Sequence, residues 1–208
     1  MSLTENESYF SRARVVPVLT PESLASGVAV SRILFDAGLR LQEITLRTEW
    51  GLETIAALAR ELPGLIVGAG SVITPQLGDA ALQAGARFLV SPGTNDTLLQ
   101  FAADCRVPFL PGVSTVSEAM RLLERGCTAA KLFPVDALGG VAFLRSMAGP
   151  LPSMKFCPSG GIDSRNAPDY LRLANVLAVG GSWMAPAELI RQNRLAEIRR
   201  LAEEAASL

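Results

Sequence analysis

A single lysine interrupts the apolar run in 128-TAAKLFPVDALGG-140, just ahead of a proline and a Gly-Gly loop. A strand lysine ordinarily faces water. Lys131 sits between Ala130 and Leu132, however, and an amine held among apolar neighbours is a different reagent, because burial disfavours its ammonium form. The neutral amine adds to a ketone, and the protonated imine that results draws electrons from the adjacent carbon-carbon bond. Such chemistry needs a proton carrier. The chain has no histidine, which removes the commonest general base, the Ser-His-Asp constellation and the usual imidazole ligands of catalytic zinc. Lys, Glu, Asp, Tyr or Cys must therefore move the protons.

The elements that must position such groups are legible as a repeating pattern. Short apolar or β-branched runs alternate with longer Ala/Leu-rich stretches, as expected of parallel strands joined by crossover helices. Eight strands are predicted: 15-VVPVL, 40-RLQEIT, 64-GLIVGAG, 86-ARFLVSP, 106-RVPFLPG, 128-TAAKLFP, 153-SMKFCPSG and 175-NVLAVGG. Helices are predicted near 22–37, 51–61, 75–84, 95–104, 115–125, 140–147, 164–173 and 187–205. Thr74-Pro75, Ser114 with Ser117 and Glu118, and Asp163-Ser164 signal helix starts; Gly38, Gly85 and Gly126 signal ends. Eight such cycles predict a (β/α)8 TIM barrel, a single domain over residues 1–208. An open doubly wound sheet is the alternative, and it lacks a GxGxxG fingerprint here.

In a barrel, chemistry gathers at the C-terminal strand ends. Reading those positions gives Glu43, Thr45, Arg47, Ser71, Ser91, Lys131, Ser159 and Ser182. Alternation tests them. On the second strand Ile44 and Leu46 should face the helices, sending Glu43, Thr45 and Arg47 to the interior. On the sixth, Ala130 and Leu132 face outward, and Lys131 and Phe133 inward. Alternate strands share an interior layer, so Glu43 and Lys131 can meet across the barrel. The carboxylate favours the ammonium that burial disfavours, and it is the candidate proton carrier. A buried structural ion pair is the other reading of the same geometry. Arg47 offers a fork for a carboxylate. The seventh and eighth strands end in 157-CPSGGID and 179-VGGSWM, where barrels frequently bind phosphate on glycine N–H groups and a helix N-terminus. Gly160, Gly161, Gly181 and Ser182 are the candidates there, although paired glycines also serve tight turns.

Composition narrows the partners. Nineteen basic and twenty acidic residues give a net charge of -1 with no long basic run, which points away from nucleic acid and anionic membranes and toward small molecules. Cys105, Cys127 and Cys157 are odd in number and form no CxxC pair, against both a disulfide framework and a thiolate zinc site. A cytoplasmic protein without metal or cofactor is the expectation. MSLTENESYFSRAR has no leader pattern, and no apolar run of about 18 residues spans a membrane.

The ordered motifs VVPVLT, EITLRTE, IVGAGSV, SPGT, PGVSTVSE, KLFP, AGP, FCPSGGI and VGGSW resemble the class I 2-keto-3-deoxy-6-phosphogluconate (KDPG) and 4-hydroxy-2-oxoglutarate (KHG) aldolases over nearly the whole chain. The resemblance implies a (β/α)8 homotrimer that cleaves the phosphorylated keto-acid reversibly into pyruvate and glyceraldehyde 3-phosphate. By motif, it makes Lys131 the Schiff-base nucleophile and Glu43 the general acid/base. Arg47, helped by Ser71, becomes the pyruvate-carboxylate ligand. Phe133 and Pro92 become pocket walls, and Ser159, Gly160, Gly161 and Ser182 the aldehyde and phosphate contacts. This chain departs where many members read KFFP, GAGT and CPTGG, and it has Leu19-Thr20 where some relatives carry an arginine after the first strand. An unphosphorylated substrate such as 4-hydroxy-2-oxoglutarate, a catalytically silent phosphometabolite-binding barrel, and a phosphosugar synthase without a Schiff base are the competing readings.

Overall fold

The computed structural model describes residues 6–105 and 107–208. Residues 1–5, part of the segment searched above for a leader, and Arg106, which opens the fifth strand candidate, lie outside it. A short helix α1 (Asn6–Phe10) precedes the first strand. The elements then alternate: β1 (Val15–Leu19), α2 (Leu24–Asp36), β2 (Leu41–Thr45), α3 (Trp50–Glu61), β3 (Ile66–Gly70), α4 (Pro75–Gln83), β4 (Leu89–Val90) and α5 (Asp96–Asp104). After β5 (Phe109–Leu110) and β6 (Gly112–Val113) come α6 (Val116–Glu124), β7 (Ala129–Leu132), α7 (Gly140–Ala148), β8 (Lys155–Pro158), α8 (Ala167–Leu171), β9 (Val179–Gly181), α9 (Ala187–Arg191) and α10 (Leu195–Ala206).

All strand pairs among the described residues are parallel, and they close into a barrel. One ladder runs β5-β4-β3-β2-β1-β9 and the other β6-β7-β8. The bridges Phe156↔Val176 and Ser159↔Gly180 join β8 to the last strand. The fifth predicted strand is split into β5 and β6 at Pro111, which has no N–H to give a ladder; its carbonyl still accepts from the Lys131 N–H at 2.9 Å. Among the described residues, nine short strands thus occupy eight barrel positions.

Local signals explain the helix bounds. Thr74 caps α4 by accepting from the Leu77 N–H, with Pro75 in the first turn. Thr115, one residue past the expected Ser114, caps α6 in a reciprocal capping box with Glu118. Gly38, Gly85 and Gly126 take the left-handed conformation beyond α2, α4 and α6. The final predicted helix is two, α9 and α10, separated where Asn193 turns to φ 53°. The 164–173 helix is shorter than expected.

Strand alternation divides the core in two. Outward residues such as Leu19, Ile44, Leu89, Phe109, Ala130, Leu132, Phe156 and Val179 pack under the helices. Inward residues, Val16, Leu41, Phe88, Val90, Leu110, Ala129, Cys157 and Ala178, form a second cluster inside the barrel. Tyr9 and Phe10 of α1 join that inner cluster, their rings meeting at 5.4 Å and reaching Phe88 at 6.0 and 5.4 Å. Asn6 anchors the plug by donating to the Phe109 carbonyl. The barrel interior is therefore filled with aromatic rings toward its N-terminal end.

Candidate active site

Glu43 and Lys131 both point inward, and both are 4% exposed. The Lys131 Nζ donates to Glu43 Oε1 at 3.0 Å and Oε2 at 3.3 Å. On β2 the register puts Glu43 beside Val18 and Gly68; on β7, Lys131 lies beside Gly112 and Cys157. The outward neighbour Gln42 donates to the Ser31 and Leu39 carbonyls, which holds the strand face that aims Glu43 inward. Gly70 makes room: any Cβ there would overlap the Glu43 carboxylate.

Burying two ions costs several kcal/mol each, and close attraction offsets that only when the geometry is good. Here one amine faces both oxygens of a single carboxylate. Phe133 adds its ring 5.6 Å from the Lys131 Nζ. Beneath them lie Phe10, Val16, Val90 and Leu110, so the pair sits at the floor of the mouth on an apolar layer. Cys157 borders the same floor. Burial pushes its thiol up to about 12, with the Ala178 backbone and the Lys131 charge acting in the opposite direction. It stays a neutral thiol, neither nucleophile nor base at ordinary pH.

Above the floor a cavity of about 140 Å³ opens, walled by Val18, Arg47, Lys131, Phe133, Ser159, Gly160, Gly161, Ile162, Gly181 and Ser182. Gly160 and Gly161 have φ of 93° and 85°, a backbone that side chains resist. The Val135 and Asp136 N–H groups donate to the Ser159 and Gly160 carbonyls at 2.9 and 3.1 Å, fixing the loop after β8. Trp183 packs its ring against Gly181, a contact that gives this tryptophan a place.

The remaining predicted positions divide. Arg47 lies in the turn beyond β2 and is exposed at the rim, not inside the barrel, because alternation ceases to govern once the strand ends. Its Nε donates to the Ser71 Oγ at 2.8 Å. Ser71 holds φ 59°, a conformation that costs a non-glycine residue about 1–3 kcal/mol; it meets the cavity only through Arg47. Pro92 is not among the cavity walls, and its backbone crowds Gly112 instead. Ser91 and Thr45 are buried structural ties: Ser91 Oγ accepts from the Gly112 N–H at 3.0 Å, and the Thr45 and Thr20 hydroxyls are 2.8 Å apart. The sequence reading did not single out Val18, Gly70, Cys157 or Ile162 as parts of the site. Val18 and Cys157 were accessible from strand alternation; Gly70 and Ile162 depend on tertiary packing.

The arrangement combines an amine and a carboxylate in contact on a dry floor, a guanidinium at one rim, and turned glycine backbone at the other. Together these can form an imine, move protons beside it, and hold an anion at either end.

Residues 6–201 match the family described as "Aldolase: KDPG and KHG aldolase". The chain is 43% identical over 202 residues to a KHG/KDPG aldolase of Escherichia coli, covering 97% of this chain and 95% of that one. It is 44% identical over 193 residues to the 2-dehydro-3-deoxy-phosphogluconate aldolase of Pseudomonas aeruginosa, covering 93% and 88%. Among solved structures, the KDPG aldolase of Legionella pneumophila with pyruvate captured as a covalent carbinolamine superposes with a TM-score of 0.94 at 37% identity, covering 98% of both chains.

Proposed function

The chain belongs to the KDPG and KHG aldolase family, and on that premise we propose that it is a class I aldolase that reversibly cleaves 2-keto-3-deoxy-6-phosphogluconate to pyruvate and D-glyceraldehyde 3-phosphate. The observation that carries the reading is the buried contact of 3.0 Å between the Lys131 Nζ and Glu43.

That contact supplies the first step. A proton passes from the Lys131 ammonium to Glu43, which frees the amine lone pair to add to the C2 carbonyl. The protonated Glu43 then delivers its proton to the oxygen of the adduct, the same carboxylate carries a second proton across from the added nitrogen, and the oxygen leaves as water to give the iminium. Glu43, again a carboxylate, takes the proton of the C4 hydroxyl. The C3–C4 bond breaks, its electron pair flows into the iminium to form an enamine, and C4 departs as the aldehyde. Glu43 returns the proton to C3, and water hydrolyses the imine to pyruvate and free Lys131. Arg47, oriented by Ser71, pairs with the substrate carboxylate. Phe133 covers the apolar side of the pyruvyl unit, while Ser159, the N–H groups of Gly160, Gly161 and Gly181, and Ser182 hold the aldehyde and phosphate end.

A second reading, cleavage of 4-hydroxy-2-oxoglutarate on the same lysine, has a specific observation behind it. Thr20 occupies the place just after β1, and its hydroxyl is engaged with Thr45 at 2.8 Å, so no cation from that position serves a phosphate. The rest of the reading is a single-domain enzyme of the reducing cytoplasm, consistent with three buried cysteines. It assembles as a homotrimer, for which Ile73, Val116 and Met120, 57%, 36% and 50% exposed, provide apolar surface.

Borohydride reduction with pyruvate, followed by mass analysis of the peptide containing Lys131, tests the proposal. A reduced pyruvyl adduct on Lys131 is the expected product; its absence there would sink the Schiff-base mechanism.

A further inference from the structure

The opposite end of the barrel holds a cavity of about 270 Å³ that the aldolase reaction does not use. Three arginines, Arg12, Arg14 and Arg40, line it, together with Gly38 beyond α2 and Ala205 and Ala206 at the end of α10. We propose that this cavity binds a small, multiply charged oxyanion, a phosphate ester or a di- or tricarboxylate.

The arginines have no other evident task. Among the described residues none of the three makes a salt bridge or a side-chain hydrogen bond, whereas Arg32, Arg121, Arg125, Arg165, Arg172, Arg191, Arg194 and Arg200 all pair with carboxylates. They do not cap the neighbouring helices either. The last carbonyls of α2 are closed by its own chain, through Ala37, Gly38 and Leu39 N–H groups donating to Ile33, Phe35 and Leu34 at 3.1, 2.9 and 3.0 Å. At α10, the Ser207 and Leu208 N–H groups donate to the Glu203 and Ala205 carbonyls. The two helix ends contribute roughly half a negative charge each, against three full positive charges, so the cavity remains cationic.

Two of the guanidiniums are also held in place. Arg12 lies over the Tyr9 ring at 5.3 Å and Arg40 over the Phe35 ring at 5.7 Å. Stacking restrains a planar fork while leaving its N–H edges free, the condition for bidentate recognition of phosphate or carboxylate. The small volume selects a metabolite-sized anion over a polymer, and the balanced net charge of -1 agrees with a local attraction rather than a molecule-wide one.

Calorimetric titration of the full chain with inorganic pyrophosphate and with citrate, at fixed ionic strength, separates the two ligand sources. Arg14→Gln/Arg40→Gln should weaken the stronger probe by about tenfold or more, with kcat/KM for cleavage retained as a check on the fold. Ser182→Asp, at the opposite mouth, should leave that binding unchanged, as should Arg60→Gln/Arg145→Gln, which removes two charges elsewhere. The proposal is overturned by an unchanged affinity in the first variant, by an equal loss in either control, or by no binding of either probe. Should the double variant not fold, Arg40→Lys keeps the charge without the fork and must still weaken binding severalfold; equal affinity overturns the proposal.

Discussion

The two ends of this barrel handle positive charge in opposite ways. At the mouth, Lys131 is buried and is held by one carboxylate across the interior. At the base, Arg12, Arg14 and Arg40 are exposed and, among the described residues, stand without an acidic partner. Between them lies a dry layer sealed by Tyr9, Phe10 and Phe88. The difference reflects what each charge can do. A charge within an apolar interior must be neutralised in place, and the neutralising group is then correctly positioned to exchange a proton with it. Charges in contact with water need no such partner and are left free to attract an anion.

The contrast is broken most directly by removing the internal cation. Lys131→Met should abolish cleavage, since among the described residues no other amine reaches the floor, and should leave Glu43 buried without a partner at a cost of about 3–5 kcal/mol in folding stability. Adding Glu43→Leu to it should recover most of that loss while activity stays absent. Denaturant melts of the three proteins check this, and a double variant no more stable than Lys131→Met would mean that the interior tolerates a lone carboxylate.

Cys157 sharpens the comparison, being a third ionisable group on the same floor. Its folded thiol titrates near 12 against an ordinary value of 9.0. Because the folded value is raised, the stabilisation is fully present below pH 9 and is lost as pH rises from there toward 12, when the unfolded chain ionises first. The loss reaches about 4 kcal/mol at one pH unit per 1.36 kcal/mol. Melts at rising pH should show a decline that is shallower in Cys157→Ala; equal slopes would remove the thiol as its cause.

A smaller effect concerns position alone. Gly70→Ala changes no charge but pushes the Glu43 carboxylate from its place. A displacement of that kind is expected to lower kcat about 10²-fold. Steady-state kinetics with pyruvate adduct formation measured in parallel would show whether imine formation survives; full kcat would mean that the carboxylate has another way to sit.

Much of the mouth was legible because strand alternation is strict while a strand lasts. Ala130 and Leu132 committed Lys131 to the interior, and Ile44 committed Glu43. The same rule misplaced Arg47, which lies one turn past the end of β2 and is free of the pleat. Polar type alone also misled: Thr45 and Ser91 read as mouth residues, yet their hydroxyls are spent on Thr20 and on the Gly112 backbone. The run RVPFLPG announced a strand, but not the break that Pro111 imposes on its ladder. The α1 plug was the least legible feature. Five residues carry too little periodicity to declare a helix, and the pairing of Tyr9 and Phe10 with Phe88 exists only after the barrel has formed.

The Lys131–Glu43 contact spans 88 residues of sequence and bridges strands that are not neighbours in either ladder. Neither partner can be supplied by a local hairpin or by one βαβ unit, so the reactive pair comes into being only when distant parts of the ring are held together. In kinetic terms the site is a long-range contact, the kind whose loop-closure entropy must be met before it returns any stability. Competence therefore arrives with the completed ring: a chain arrested before closure has all the reactive residues and none of the chemistry.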